Sequence, residues 1–256
     1  MYFTIPKISE QYKVVSVTAK LLKFFELSFR AVKRKRESYG IVNYLERSIR
    51  NEDVVINIGS GEDDYLYIMR RKLGKSGKVI VFESRPELFQ QMAHLKKILK
   101  WNNIEVEPLV LSDFPASKVA YKSSHKASSH GGIVINIGDK REESSVYNIV
   151  VDTLDNYCGK KNIHPSFLKI DANGNELKLL KGSINILRKD RPKILLKCEE
   201  RLAGAQNVLE VFAYLLQLGY KGYFILDTIK IPVENFEFNL YQNTRNNFYC
   251  NNFMFE

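Results

Sequence analysis

From Val54 to Leu218 short apolar runs alternate with amphipathic segments, and that rhythm leaves the chain very few folds to choose from. Val54–Ile58, Val79–Glu83, Ile104–Leu111, Phe167–Asp171 and Ile194–Leu196 read as buried strands. Between them the spacing predicts helices. One runs from about Glu62 to Leu73, and one opens at Pro86 with Phe89, Met92, Leu95 and Leu99 on a single face. Leu154–Cys158, Glu176–Leu187 and Val208–Leu218 read as three more. Strands that alternate with helices build a doubly wound, mostly parallel α/β sheet. Tyr223–Leu226 and Phe248–Phe255 follow one another with no helix between, so they are expected to pair antiparallel at one edge.

Two segments stand outside the rhythm. Residues 113–150 are interrupted by a polar tract between strand-like Lys118–Tyr121 and Ile133–Ile137, read as a hairpin insertion with a mobile tip. Residues 1–50 form a helical extension ahead of a main domain at 51–256. Val14, Val17, Leu21, Phe25, Phe29 and Val32 recur at helical spacing and run into Lys33-Arg34-Lys35-Arg36. The first 50 residues carry 11 Lys and Arg against 4 Asp and Glu, whereas the rest of the chain carries 28 against 25. The net charge of +10 therefore belongs mainly to the extension, which argues against a nucleic-acid interface on the main domain. A helix packed on that domain explains the extension, and contact with an anionic membrane surface is the sharper alternative.

No apolar run reaches the ~20 residues that span a bilayer. The N-terminus lacks a secretory pattern. Cys158, Cys198 and Cys250 are too far apart for a CxxC pair, so neither a metal site nor a disulfide framework is expected. These features together point to a cytoplasmic protein.

In a doubly wound sheet, ligands bind beyond the C-terminal strand ends. The first strand ends in Asn57-Ile58-Gly59-Ser60-Gly61, followed by Glu62, Asp63 and Asp64. The glycines admit a ligand close to the backbone, and the helix start behind them offers free amides. Three acids would repel a pyrophosphate but suit a zwitterionic amino acid carrying a sulfonium. They also suit the helix dipole, which needs no ligand. Glu83 ends the second strand, about 20 residues on, where ribose hydroxyls are received. Ser112-Asp113 ends the third strand, either flanking an adenine or simply turning the chain. Asp171 ends the fourth, aimed at the reacting centre or serving the next helix as a cap. After the fifth strand one of Glu199 and Glu200 should face the crevice.

Read in order, the segments VVINIGSGEDD, VIVFESRPELF, IEVEPLVLSD, VDTLDNYC with FLKIDANGNELKLLKG, and PKILLKCEE resemble the FkbM-type family of S-adenosylmethionine-dependent methyltransferases. VFAYLLQLGYKGYF and the terminal NNFMFE extend the likeness over roughly 200 residues. The resemblance implies a class I methyltransferase fold, S-adenosylmethionine as cofactor, and methylation of a hydroxyl on a small molecule or glycan. By match Asn57, Gly59, Ser60 and Gly61 would hold the methionine part. Glu83, with Ser84 beside it, would bind the ribose, and Ser112 and Asp113 would lie near the adenine. Asp171 borders both the cofactor and the acceptor. Where the family carries acids this chain has Asn57 and Asn173, and Asp63 replaces a loop glycine. A cofactor-binding but catalytically degenerate module is therefore the alternative reading.

Attack by an alcohol calls for a general base. Asp171 comes first, then Glu199 and Glu200. His130 and His125 follow, if the insertion closes over the crevice. A nucleic-acid methyltransferase fits less well, because no Asn/Asp-Pro-Pro-aromatic block follows the fourth strand.

Overall fold

The computed structural model describes residues 39–59, 64–122, 146–226, 228–246 and 248–256. The expected helix at 14–32, residues 60–63, and the insertion's tip with His125, His130 and Ile133–Ile137 lie outside the described residues. Among the described residues the first elements in chain order are α1 (Tyr39–Ser48), β1 (Val54–Ile58), α2 (Asp64–Leu73), β2 (Lys78–Phe82), α3 (Pro86–Leu99), β3 (Ile104–Glu107) and β4 (Leu109–Leu111). Then come β5 (Ala116–Lys122), β6 (Val146–Asp152), α4 (Leu154–Lys161), β7 (Phe167–Ile170), α5 (Glu176–Lys181), α6 (Ile184–Lys189) and β8 (Lys193–Lys197). The chain closes with α7 (Glu200–Ala203), α8 (Ala205–Gln217), β9 (Gly222–Leu226), β10 (Ile229–Pro232), α9 (Phe238–Tyr241) and β11 (Asn252–Phe255).

Eight strands form one sheet in the order β10-β9-β11-β8-β7-β1-β2-β3. The run β8-β7-β1-β2-β3 is parallel throughout. The order reverses between β1 and β7, which makes the ends of those two strands the switch point. β11 is antiparallel to both β8 and β9. The antiparallel C-terminal side of the sheet is thus as expected, with β11 slotted between its partners and β10 outermost. β10 comes from the connection after Leu226, where the sequence shows no clear strand. Lys230 and Pro232 on β10 are residues that discourage further pairing at an edge.

Helices cover both faces. Ile41, Val42, Tyr44 and Leu45 of α1 pack with Leu66, Met69 and Leu73 of α2 against Val55, Val79 and Phe167. On the other face Leu154, Leu180, Leu187, Val211 and Phe212 pack against Ile56, Ile80, Leu168 and Ile194. The alternation of buried residues along each strand therefore feeds two separate cores, as period-2 geometry demands. Among the described residues no helix is long and apolar enough to cross a membrane.

Two breaks differ from the sequence expectation, and each has a local cause. The run Ile104–Leu111 divides at Pro108, which has no N–H to give a ladder. β3 stays in the main sheet, while β4 joins a second sheet of order β4-β6-β5. The insertion's first strand, β5, pairs antiparallel with β6, which begins at Val146. The helix expected over Glu176–Leu187 divides at Gly182-Ser183 into α5 and α6. A Cβ on Gly182 would overlap the Ser112 carbonyl, so the glycine lets α5 end directly against the tip of β4.

The VDTLDNYC segment turns out to be framework. Thr153 caps α4, its hydroxyl accepting the Asn156 N–H at 3.0 Å. Leu154 is fully buried. Asp155 reaches across to α6, where its carboxylate accepts the N–H groups of Asn185 at 2.9 Å and Ile186 at 3.0 Å.

Glu107 ties β3 to α4. Its Oε1 accepts from Tyr157 Oη at 2.8 Å and Lys161 Nζ at 2.7 Å. Partial burial works to raise the Glu107 carboxyl, but the bonds from Lys161 and Tyr157 outweigh it and hold the group below its ordinary range. A depressed folded-state value means stability that is present above the unfolded glutamate value of about 4.3 and lost as pH falls through the lower folded value. Glu107→Gln should therefore lower the urea midpoint at pH 7. The gap from the parent protein should narrow in titrations near pH ~3.5.

Gln242 fastens the C-terminal strands. Its Nε2 donates to the carbonyls of Cys198 at 2.8 Å and Cys250 at 3.1 Å, and its Oε1 accepts the Glu200 N–H at 2.6 Å. Gln242→Ala leaves three main-chain groups without that partner and should cost about 3 kcal/mol. Urea unfolding would show this as a lower midpoint with an unchanged slope.

Candidate active site

The ends of β1, β2, β4 and β7 converge on one cleft. Gly59 N–H donates to the Phe82 carbonyl at 3.0 Å, and Asp171 N–H donates to the Ile58 carbonyl at 3.0 Å. Gly59 has φ +69°, a conformation that disfavours a side chain, and a Cβ there would overlap the Asp171 carbonyl. Apolar Ile58, Phe82, Leu109 and Leu111 alternate along the cleft wall with Glu83, Ser84, Ser112 and Asp171.

Asn57 sits beneath the glycine turn and is fully buried. Neither its Oδ1 nor its Nδ2 has a hydrogen-bond partner among the described residues. A buried amide with both ends open is costly unless something else meets it. Its register partners are Val81 and Lys169, so it shares a sheet face with Lys169.

Beyond Asn57 a row of charges runs along the ends of β7 and β8. Lys169 Nζ, 4% exposed as a residue, lies 3.8 Å from Asp171 Oδ2. Lys197 Nζ lies 3.3 Å from the same oxygen and 3.4 Å from Glu199 Oε1. Glu199 also accepts from Arg201 Nε at 2.5 Å, Tyr249 Oη at 3.0 Å and Asn251 Nδ2 at 3.2 Å. Its burial works to raise the carboxyl, but Arg201, Lys197 and Tyr249 more than offset that and hold it below the usual range. Glu199, already bonded on both oxygens, is poorly placed to take a further proton. Glu200 is exposed and begins α7. The structure thus separates the two glutamates, placing Glu199 in the charge row and Glu200 outside it.

The loop after β7 is shaped by Glu176. Its Oε1 accepts the N–H groups of Ala172 at 3.1 Å and Gly174 at 3.0 Å. Oε2 is buried without a partner among the described residues. Burial pushes this carboxyl up despite the two amides, and the nearby Asp171 charge adds to the rise. Asn173, at φ +50°, and Gly174, at φ +94°, make the turn that brings Ala172 and Asn173 into the cleft wall.

The other sequence candidates divide. Glu83 is 2% exposed at the cleft wall. Ser112 is buried there, whereas Asp113 is exposed and accepts the Ser112 hydroxyl at 3.0 Å. Ser60, Gly61 and His130 lie outside the described residues. Lys169, Arg85 and Tyr249 were not singled out from the sequence. Only Arg85, two residues past a strand-ending acid, offered a readable signal.

A family model described as the methyltransferase FkbM domain matches residues 53–221. The match takes in every strand-end segment up to β8 and stops short of the terminal NNFMFE. Among solved structures, an FkbM methyltransferase from Methylobacillus flagellatus is 13% identical, with a TM-score of 0.54. The alignment covers 81% of this chain and 44% of that one, so the chain spans under half the length of that protein. An O-methyltransferase from Bacillus cereus, in complex with SAH, is 10% identical over 90% of this chain and 89% of its own, with a TM-score of 0.49. An rRNA methylase from Streptococcus thermophilus is 14% identical over 84% and 92%, with a TM-score of 0.45. At 13% identity the Methylobacillus structure shows a shared fold and nothing finer. None of the curated proteins matches the chain.

Proposed function

We propose, for a chain that belongs to the methyltransferase FkbM domain family, the transfer of a methyl group from S-adenosylmethionine to a hydroxyl oxygen of a small molecule or glycan. The observation that carries this reading is Asp171, which lines the cleft and also begins the charge row at the ends of β7 and β8. Residues 51–256 are taken as the methyltransferase domain and residues 1–50 as an extension. A cytoplasmic site of action belongs to the same proposal.

The residues present fit the cofactor. The buried Asn57 amide, unpartnered among the described residues, would offer an acceptor and a donor beneath the glycine turn, as an amino acid's ammonium and carboxylate require. Gly59, Ser60 and Gly61 complete that end. Glu83 with Ser84 would receive the ribose, and Ser112 and Asp113 would border the adenine. Bound S-adenosylmethionine supplies an electrophilic methyl group on a sulfonium. Asp171 accepts the proton of the acceptor hydroxyl as its oxygen attacks. Lys197, held from the far side by Glu199, keeps the Asp171 carboxylate in place. Apolar Ile58, Phe82 and Leu111 keep water from the cleft floor.

A second reading has its own support in Asn57 and Asn173, which stand where the family carries acids. It makes the chain a module that binds the cofactor without turnover. Incubation with methyl-labelled S-adenosylmethionine and fractions of hydroxyl-bearing metabolites and glycans separates the two. Label recovered as a base-stable methyl ether supports O-transfer. Label on nitrogen or in RNA would sink that reading, and tight binding with no labelled product would favour the module.

A further inference from the structure

Arg85, which the mechanism above leaves unused, clamps Glu83. Arg85 donates to Glu83 Oε1 through both its backbone N–H and its Nε, each at 3.0 Å. Its Nη2 donates to Oε2 at 3.0 Å. A two-pronged guanidinium therefore closes on a carboxylate that is almost wholly buried. The arrangement is written into four consecutive residues, Glu83-Ser84-Arg85-Pro86. Pro86 at the first position of α3 steers the residue before it away from helical backbone, and Arg85 has φ −76° and ψ 118°. Its carbonyl then accepts the Phe89 N–H at 2.9 Å and starts the helix. Main chain and side chain of Arg85 are thus presented together to the acid two residues back.

A buried carboxylate is costly without a partner, and a flexible one would bind a diol poorly. We infer that Arg85 is the positioning residue of the ribose-binding carboxylate, fixing Glu83 in one orientation at the cleft wall and balancing its charge. The inference rests on the reading of Glu83 as the ribose acceptor. Arg85 also lines the cleft, and the inference has it act through Glu83 rather than by touching the cofactor, which the double variant below distinguishes.

The test is calorimetric titration of S-adenosylhomocysteine into the parent protein and into Arg85→Ala, Arg85→Lys, Glu83→Gln and the Glu83→Gln/Arg85→Ala double variant. Thermal melts accompany each titration. Loss of charge-assisted bonds of this kind should weaken binding about tenfold or more in Arg85→Ala. Arg85→Lys, which keeps the charge but not the fork, should fall between the two. In the Glu83→Gln background the Arg85→Ala change should cost nothing further. Parent-like affinity in folded Arg85→Ala would overturn the inference, and so would an equal loss in the Glu83→Gln background. Should Arg85→Ala fail to fold, parent-like affinity in Arg85→Lys would overturn it instead. If the folded parent protein binds no S-adenosylhomocysteine, the ribose reading fails and the inference fails with it.

Discussion

Asp171→Asn is expected to lower the methyl-transfer rate by roughly 10²–10⁴-fold, the usual contribution of a positioned base. Asparagine has the same shape and cannot take the hydroxyl proton. Glu199 is a weak substitute because Lys197, Arg201, Tyr249 and Asn251 already occupy it. Glu200 is exposed, away from the charge row. The change also removes the negative charge that Lys169 and Lys197 share, so some loss of stability should accompany the loss of rate. Turnover of the acceptor found by methyl labelling is the readout. An unchanged rate would remove Asp171 from the chemistry.

Gly59→Ala should be the most damaging single substitution near the cleft. Alanine at φ +69° is strained by about 1–2 kcal/mol. The added methyl group would also meet the Asp171 carbonyl, which belongs to backbone and cannot simply turn aside. Relief requires β1 and β7 to move apart at the point where Gly59 also bonds to Phe82. Strain and overpacking together should cost about 3 kcal/mol. In a domain of this size that lowers the melting temperature by roughly 6–12 °C. Asn57 and Asp171 lie on either side of the displaced turn, so cofactor affinity should fall as well. Calorimetric scanning with a parallel titration checks both effects. Parent-like melting would mean that the turn is far softer than its contacts imply.

The doubly wound sheet was legible because its signal is local. Val, Ile and Phe at every position of β1 and β2 but Asn57 and Lys78 can only be strands buried on both faces. The glycine turn and the acids ending β2 and β7 were legible for the same reason, since topology alone decides where strand ends meet. What escaped the sequence depends on partners far along the chain. Gln242 bonds to a carbonyl 44 residues away, and nothing in its own neighbourhood announces that. Glu199 and Glu200 look alike in sequence. Tyr249 and Asn251, some 50 residues on, distinguish them. The block from Thr153 through Asp171 to α5 was the specific part of the resemblance, yet its first residues, Thr153 to Asp155, cap two helices and do not line the cleft. A family signature can therefore mark architecture as readily as chemistry. Pro108 and Gly182 were visible breaks, and apolar spacing across them hid their meaning.

The most direct test of the central claim is calorimetric titration of the purified protein with S-adenosylmethionine and S-adenosylhomocysteine, with Glu83→Ala alongside. The account predicts saturable one-site binding of both ligands, lost in the variant without loss of the fold. A folded protein that binds neither ligand would contradict it, and would mean that Asn57 and the glycine turn no longer form a cofactor site.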